Sequence, residues 1–167
     1  MSKDKKKEIG QSSQNSFLKL IEDNIRDNWD IDALTDYKGG TLKYKDVAQS
    51  IARLHIIFEQ TGVKKGDKIA ICGRNSSNWG VVFLATLTYG AVSVPILNDF
   101  KADNIHNIVN HSDSVLLFVG DNVWENIDES AMSKLKGIIS IADFSLLVSR
   151  SSNLEKAHEN INRLMGK

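Results

Sequence analysis

One proline, Pro95, and one cysteine, Cys72, are found in 167 residues. So few prolines argue against all-β and loop-rich folds, which depend on turn punctuation. A lone cysteine excludes an internal disulfide and any cysteine-rich zinc site, and a reducing cytoplasm is consistent with it. Cys72 ends the apolar run Ile69-Ala70-Ile71-Cys72, which marks it as a buried, inert thiol. Excess charge is absent too: 21 Lys and Arg balance 21 Asp and Glu, so nothing favours a nucleic-acid or membrane-surface partner. No apolar segment follows the lysine cluster Lys3, Lys5, Lys6 and Lys7, which excludes a secretory signal. Residues 1–14 read instead as a solvated, disordered polar tail, with a weak contact to anionic lipid as the alternative.

What is present is ordinary for a globular domain. Hydrophobic residues make up 41% and charged residues 25%, enough to bury one sizeable core. No charged residue occurs between Arg74 and Asp99, and length alone makes this stretch a membrane-span candidate. Its internal order argues otherwise. Asn75, Ser76, Ser77 and Asn78 supply helix-capping side chains before Trp79, and Gly90 stands where a helix wants its terminating glycine. Ala91-Val92-Ser93-Val94-Pro95-Ile96 then reads as a buried strand. The stretch is therefore a helix followed by a strand, with no transmembrane segment.

The same alternation runs through the chain. Phe17, Leu20, Ile21 and Ile25 share one helical face. Ala33 to Tyr37 and Thr41 to Tyr44 flank Lys38-Gly39-Gly40 as a hairpin. Val47, Ile51, Leu54 and Phe58 make an amphipathic helix ended by Gly62, and residues 68–72 form a short apolar strand after a turn. Ile105, Ile108 and Val109 face inward from the next helix. Val115-Leu116-Leu117-Phe118-Val119 is a strand closed by Gly120-Asp121, and Ile138-Ile139-Ser140-Ile141 is read as the last one. Residues 148–153 read as a linker, and Leu154, Ala157, Ile161 and Leu164 mark a closing helix. The fold class is α/β: a mostly parallel sheet with helices on both faces, preceded by an N-terminal helix and a β-hairpin. The tail is followed by an α/β subdomain over 15–147 and by a linker and closing helix over 148–167.

Chemistry is harder to find. Gly73-Arg74-Asn75-Ser76-Ser77-Asn78-Trp79-Gly80 follows a strand and opens a helix, the setting of a phosphate loop. It has neither the dinucleotide glycine spacing nor a Gly-Lys-Ser/Thr, so it reads as a capped helix start. His55, His106, His111 and His158 show no metal-ligand spacing and read as structural. The acidic residues Glu22, Asp23 and those over 27–32 read as solvated charge, and no serine occupies a Gly-x-Ser-x-Gly elbow. The residues alone give a soluble α/β domain with no catalytic, cofactor-binding or metal site.

Five segments in fixed order add to this. Gly40-Thr41-Leu42-Lys43-Tyr44-Lys45-Asp46-Val47 resembles a Thr-Leu-Thr-Tyr-Lys-Glu-Leu opening. The run from Gly62 to Ile71 resembles Gly-Val-Lys-Lys-Gly-Asp-Arg-Val-Ala-Ile, and Arg74 to Trp79 resembles Asn-Ser-Pro-Glu-Trp. Gly90 to Ile96 resembles Gly-Ala-Val-x-Val-Pro, and His111 to Val119 is similar to the segment after it. These are the patterns of the adenylate-forming, AMP-binding superfamily, in particular its long-chain fatty-acid–CoA ligases. Lys43 stands where that pattern has Ser or Thr, and Asn78 where it has Glu.

The resemblance implies the N-terminal scaffold of an acyl-CoA ligase whose parent reaction joins fatty acid and CoA at the expense of ATP, with Mg²⁺, through an acyl-adenylate. The family's Thr/Ser/Gly-rich phosphate loop is not among these 167 residues. No catalytic residue is carried over, and the chain alone is expected to be inactive. Its implied partners are the rest of the ligase chain and, for the parent, a fatty acid, with self-association of the fragment as a further one. The implied location is cytoplasmic, with peripheral membrane association of the parent as the alternative. The competing reading is a non-catalytic α/β module for binding or assembly.

Overall fold

The computed structural model describes residues 17–164, apart from the side chains of residues 162 and 164, so the reading of 1–14 as a disordered tail lies outside the described residues. The chain divides into two compact units with the boundary after Ala48.

The first unit holds helix α1 over 17–27 and a hairpin of β1 (Asp32–Thr35) and β2 (Thr41–Lys43), paired antiparallel. The apolar face read for α1 is only half covered: Phe17 and Leu20 are 49% and 59% exposed, while Ile21 and Ile25 are half-buried. Tyr44, read as strand, instead opens helix α2 (Tyr44–Gln60). The reason is local. Lys43, just before the helix, has no capping side chain, but its N–H donates to Asp46 Oδ2 at 2.9 Å. An acid reaching back from the first turn is one half of a capping box, and it offsets the missing Ser or Thr.

The second unit is a five-stranded sheet in the order β4-β3-β5-β6-β7. Its strands are β3 (Lys68–Cys72), β4 (Val92–Ile96), β5 (Ser114–Val119), β6 (Gly137–Ser140) and β7 (Leu146–Ser149). β3 pairs parallel with both β4 and β5, β5 parallel with β6, and β7 closes the sheet antiparallel. Helices α3 (Ser77–Tyr89), α4 (Ala102–His111) and α6 (Ser152–Leu164) connect and cover the strands, with a single turn α5 (Asp121–Trp124) after β5. Ala70, Cys72, Leu117, Val119 and Ile138 join Ile105 and Val109 of α4 in one core. The alternate residues Ile69, Ile71, Leu116, Phe118 and Ile139 are equally buried and, by the two-residue strand period, belong to the opposite face. Burial on both faces is why these strands read as unbroken apolar runs.

Three expectations need correction. The strand around Val94 is not fully buried: β4 is an edge, Val92 is 46% exposed, and Pro95, which has no N–H to donate, fits an edge position. Ile138 to Ile141 is not the last strand. Val148 and Ser149, read as the start of a linker, lie in β7, which is held by Ile138↔Val148 and Gly137↔Ser149 pairing.

The charge-free stretch splits as expected. Ser76 caps α3, its Oγ accepting from Trp79 N–H at 3.1 Å, and Gly90 ends it with φ 86°, a left-handed value that glycine takes at no steric cost. No helix among the described residues is long and apolar enough to cross a membrane. Ser76→Ala should destabilise the second unit by about 1 kcal/mol, the worth of a helix cap. Urea unfolding checks this, and Ser76→Asp should restore most of the loss.

Candidate functional site

Strand order locates the site. From β3 the chain moves to β4 on one side and then crosses back to β5 on the other, so the direction of winding reverses between β3 and β5. Open α/β sheets leave a crevice outside the carboxyl ends of the strands at such a point. Two glycines line it here. Gly73 follows β3 and Gly120 follows β5, with Gly120 N–H donating to Cys72 O at 3.0 Å. The backbones are so close that a Cβ on Gly73 would stand 2.8 Å from Ile141 Cδ1 and 3.1 Å from Gly120 N.

Beyond the glycines lies a cavity of about 370 Å³, lined by Arg74, Ser76, Gly120, Asp121, Asn122, Ile141 and Ala142. Asn122 also lines a neighbouring cavity of about 460 Å³ that runs past Asn98, Asp99, Phe100 and Lys101 to the start of α4. The two form a rim along the carboxyl ends of β3, β4 and β5, which carries two exposed cations, Arg74 and Lys101. Such a rim can seat and orient a polar group. It offers no activated nucleophile, because the Ser76 hydroxyl is committed to its cap and the Cys72 thiol is buried. Burial pushes that thiol up to about 11, so almost none of it is thiolate at neutral pH.

The loop at 73–80, read as a capped helix start, is that, and through Arg74 and Ser76 it also lines the crevice. Three of the four histidines, His55, His106 and His158, are engaged. His106 Nε2 accepts from Asp128 N–H at 3.0 Å, His158 Nε2 lies 3.2 Å from Phe144 O, and His111 occupies the last turn of α4. Among the described residues no group of three His, Cys, Asp or Glu could hold a metal ion. The acidic residues Asp23 and Asp30 pair with Lys19 and Lys45 at 3.0 and 2.8 Å on the surface. The hydrogen bond from each lysine holds the carboxyl below the ordinary range.

His55 Nε2 lies 3.0 Å from both Ala85 O and Thr88 Oγ1, with its ring edge-on to Tyr89. Burial pulls its pKa below the ordinary 6.5, and the bond to Ala85 O opposes this only in part. Below about 6.5 the unfolded chain therefore takes up a proton that the folded one resists. His55 makes stability fall as pH drops through 6.5 toward the lower folded value. Thermal unfolding at pH 7.5 and 5.5 should show that loss, and a smaller one in His55→Gln; equal losses would remove His55 as the cause.

Sequence reading missed the meeting of Gly73 with Gly120, the place of Asn122 in the crevice, and the reach of Asn78, whose Nδ2 donates to Ile141 O and Ala142 O at 2.9 Å each. A glycine directly after each of two apolar strands was the available signal.

The pattern of the family described as AMP-binding enzyme matches residues 21–163. Fatty acyl-CoA synthetase A of Dictyostelium discoideum is 32% identical over 136 residues, covering 79% of this chain and 19% of that protein. Long chain acyl-CoA synthetase 3 of Arabidopsis thaliana is 30% identical over 60% of this chain and 15% of its own length. The chain thus spans less than a fifth of either relative. Among solved structures, the anthranilate CoA ligase AuaEII in complex with anthranoyl-AMP matches with TM-score 0.70 at 18% identity, over 76% of this chain and 25% of that one. A long-chain-fatty-acid-CoA ligase (FadD1) from Archaeoglobus fulgidus matches with TM-score 0.68 at 16% identity, over 85% and 29%. The fold is that of the N-terminal subdomain of adenylate-forming enzymes, and the chain belongs to the AMP-binding enzyme family.

Proposed function

We propose that this chain is the N-terminal scaffold of an AMP-forming acid–thiol ligase acting on fatty acids, and that the chain by itself is inactive. The observation that carries the reading is the family match over 21–163 together with 32% identity to a fatty acyl-CoA synthetase. In the parent reaction a carboxylate, a poor electrophile, attacks the α-phosphorus of ATP and releases pyrophosphate. The thiol of coenzyme A then attacks the acyl carbon of the adenylate and AMP leaves. The first step gathers negative charge at phosphorus, and a bound Mg²⁺ with fixed cations would supply the charge that offsets it. Among the described residues of this chain no group of three His, Cys, Asp or Glu is placed to hold that ion. Their contribution is the rigid sheet and the crevice at its carboxyl end, where ligands of open α/β sheets bind.

The test is pyrophosphate release by the full ligase carrying this segment, with ATP, Mg²⁺ and fatty acids of graded length, beside the 167-residue chain alone. Release dependent on fatty acid, and none from the chain alone, is the expected result. A full protein that releases pyrophosphate with no carboxylic acid would sink the ligase reading. A turnover by the short chain would sink its inactivity.

A further inference from the structure

We infer that Asn78 is a positioning residue: its side-chain amide sets where the Ile141–Ala142 wall of the crevice between β3 and β5 stands. This rests on the ligase reading above for its bearing on substrate, but not for the geometry. Asn78 lies in the first turn of α3, two residues after the Ser76 cap. At such a place the helix dipole favours an acid, and an acid is what the family's Asn-Ser-Pro-Glu-Trp pattern has there. This chain gives up that advantage and places an amide instead.

What the amide does there is specific. Both N–H groups of Nδ2 are spent on consecutive carbonyls, Ile141 O and Ala142 O, at 2.9 Å each. A carboxylate in the same place would set its own oxygens against these two. The turn so held is under strain, because Phe144 has φ 60°, a left-handed value that a bulky side chain adopts only when its surroundings impose it. Ties within the turn help: Ala142 N–H donates to Ser140 Oγ at 3.1 Å and Ser145 N–H to Asp143 Oδ1 at 2.9 Å. Ile141 N–H is anchored to Val119 O at 2.8 Å. The Asn78 amide links this turn to the opposite lip, where Arg74 and Ser76 lie, while His158 Nε2 lies 3.2 Å from Phe144 O on the side of α6. Position 78 thereby fixes the width of the crevice without itself lining it.

The test separates this from a role in helix stability. Asn78→Asp keeps the shape and improves the helix start, but loses both donors, while Asn78→Gln keeps them. In the 167-residue chain, hydrogen exchange at the Ala142 and Phe144 amides should quicken about tenfold in Asn78→Asp, the scale of one lost hydrogen bond. Ile71 and Phe118 in the core strands should be unchanged, and the Gln variant should lie closer to the parent. In the full ligase, Asn78→Asp should raise the KM for carboxylate, ATP or CoA about threefold or more, with kcat nearly kept. Unchanged exchange at Ala142 and Phe144 overturns the inference, and so does faster exchange with none of the three KM values moved. Should Asp loosen the whole sheet, the Gln variant decides: exchange as fast as in the Asp variant counts against the donors. If the parent ligase proves inactive, the ligase reading fails on its own evidence and the exchange result alone judges Asn78.

Discussion

Phe58→Ala should lower the unfolding free energy of the second unit by about 3–5 kcal/mol, the largest loss expected from any single truncation here. Phe58 is fully buried where α2 meets the sheet. Its ring stands edge-to-face against Tyr89 at the end of α3, with centroids 5.4 Å apart, and against Phe118 in β5 at 6.3 Å. Each such pair adds about 0.5–1.5 kcal/mol beyond area burial. Collapse cannot close the gap easily, since Tyr89 is tethered by its hydroxyl to Val63 O at 2.9 Å and Phe118 is held in a central strand. Urea unfolding followed by tryptophan fluorescence checks the value: the midpoint should fall with little change in slope. Ile56→Ala, on the same helix but 39% exposed, should cost under about 1 kcal/mol. Comparable losses in the two variants would show that Phe58 is not the anchor of α2.

That helix was also the most legible part of the sequence. Val47, Ile51, Leu54 and Phe58 recur at helical spacing, and all four are buried. The same holds for β3 and β5, whose unbroken apolar runs are too short for helices and fit strands covered on both faces. Legibility failed where an element depends on its neighbour. β7 is four half-buried residues, Leu146-Leu147-Val148-Ser149, without alternation, and it is a strand because β6 offers a free edge. β4 has the composition of a core strand, but its place at the sheet edge follows from strand order, which no local pattern encodes. The crevice failed for the same reason. Gly73 and Gly120 are 47 positions apart, and Asn78 reaches carbonyls 63 and 64 positions away, as the chain numbering shows. The family pattern could be read without the structure because it lies along the chain.

Gly137→Ala should cost about 1–3 kcal/mol, and Gly137→Val more, because β6 begins with no room for a side chain. A Cβ there would collide with Leu154 Cδ2 and lie 2.9 Å from Val148 O. The first contact could be relieved by turning the end of a leucine, although Leu154 is itself fully buried on α6. The second is backbone in β7, paired across the sheet, and cannot move without breaking the Gly137↔Ser149 and Ile138↔Val148 register. Leu154→Val in the Gly137→Ala background should therefore recover only part of the loss, and full recovery would assign the whole clash to Leu154. Gly40→Ala is the control, since nothing stands within 4 Å of a Cβ there, and it should change stability by under about 1 kcal/mol. The consequence reaches the crevice through one strand. β6 starts at Gly137 and delivers Ile141 and Ala142 to the wall four and five residues later, so pushing its first residue away from β7 shifts the carbonyls that Asn78 must meet. Faster exchange at Phe144 in Gly137→Ala would show the strand carrying that displacement from one end to the other.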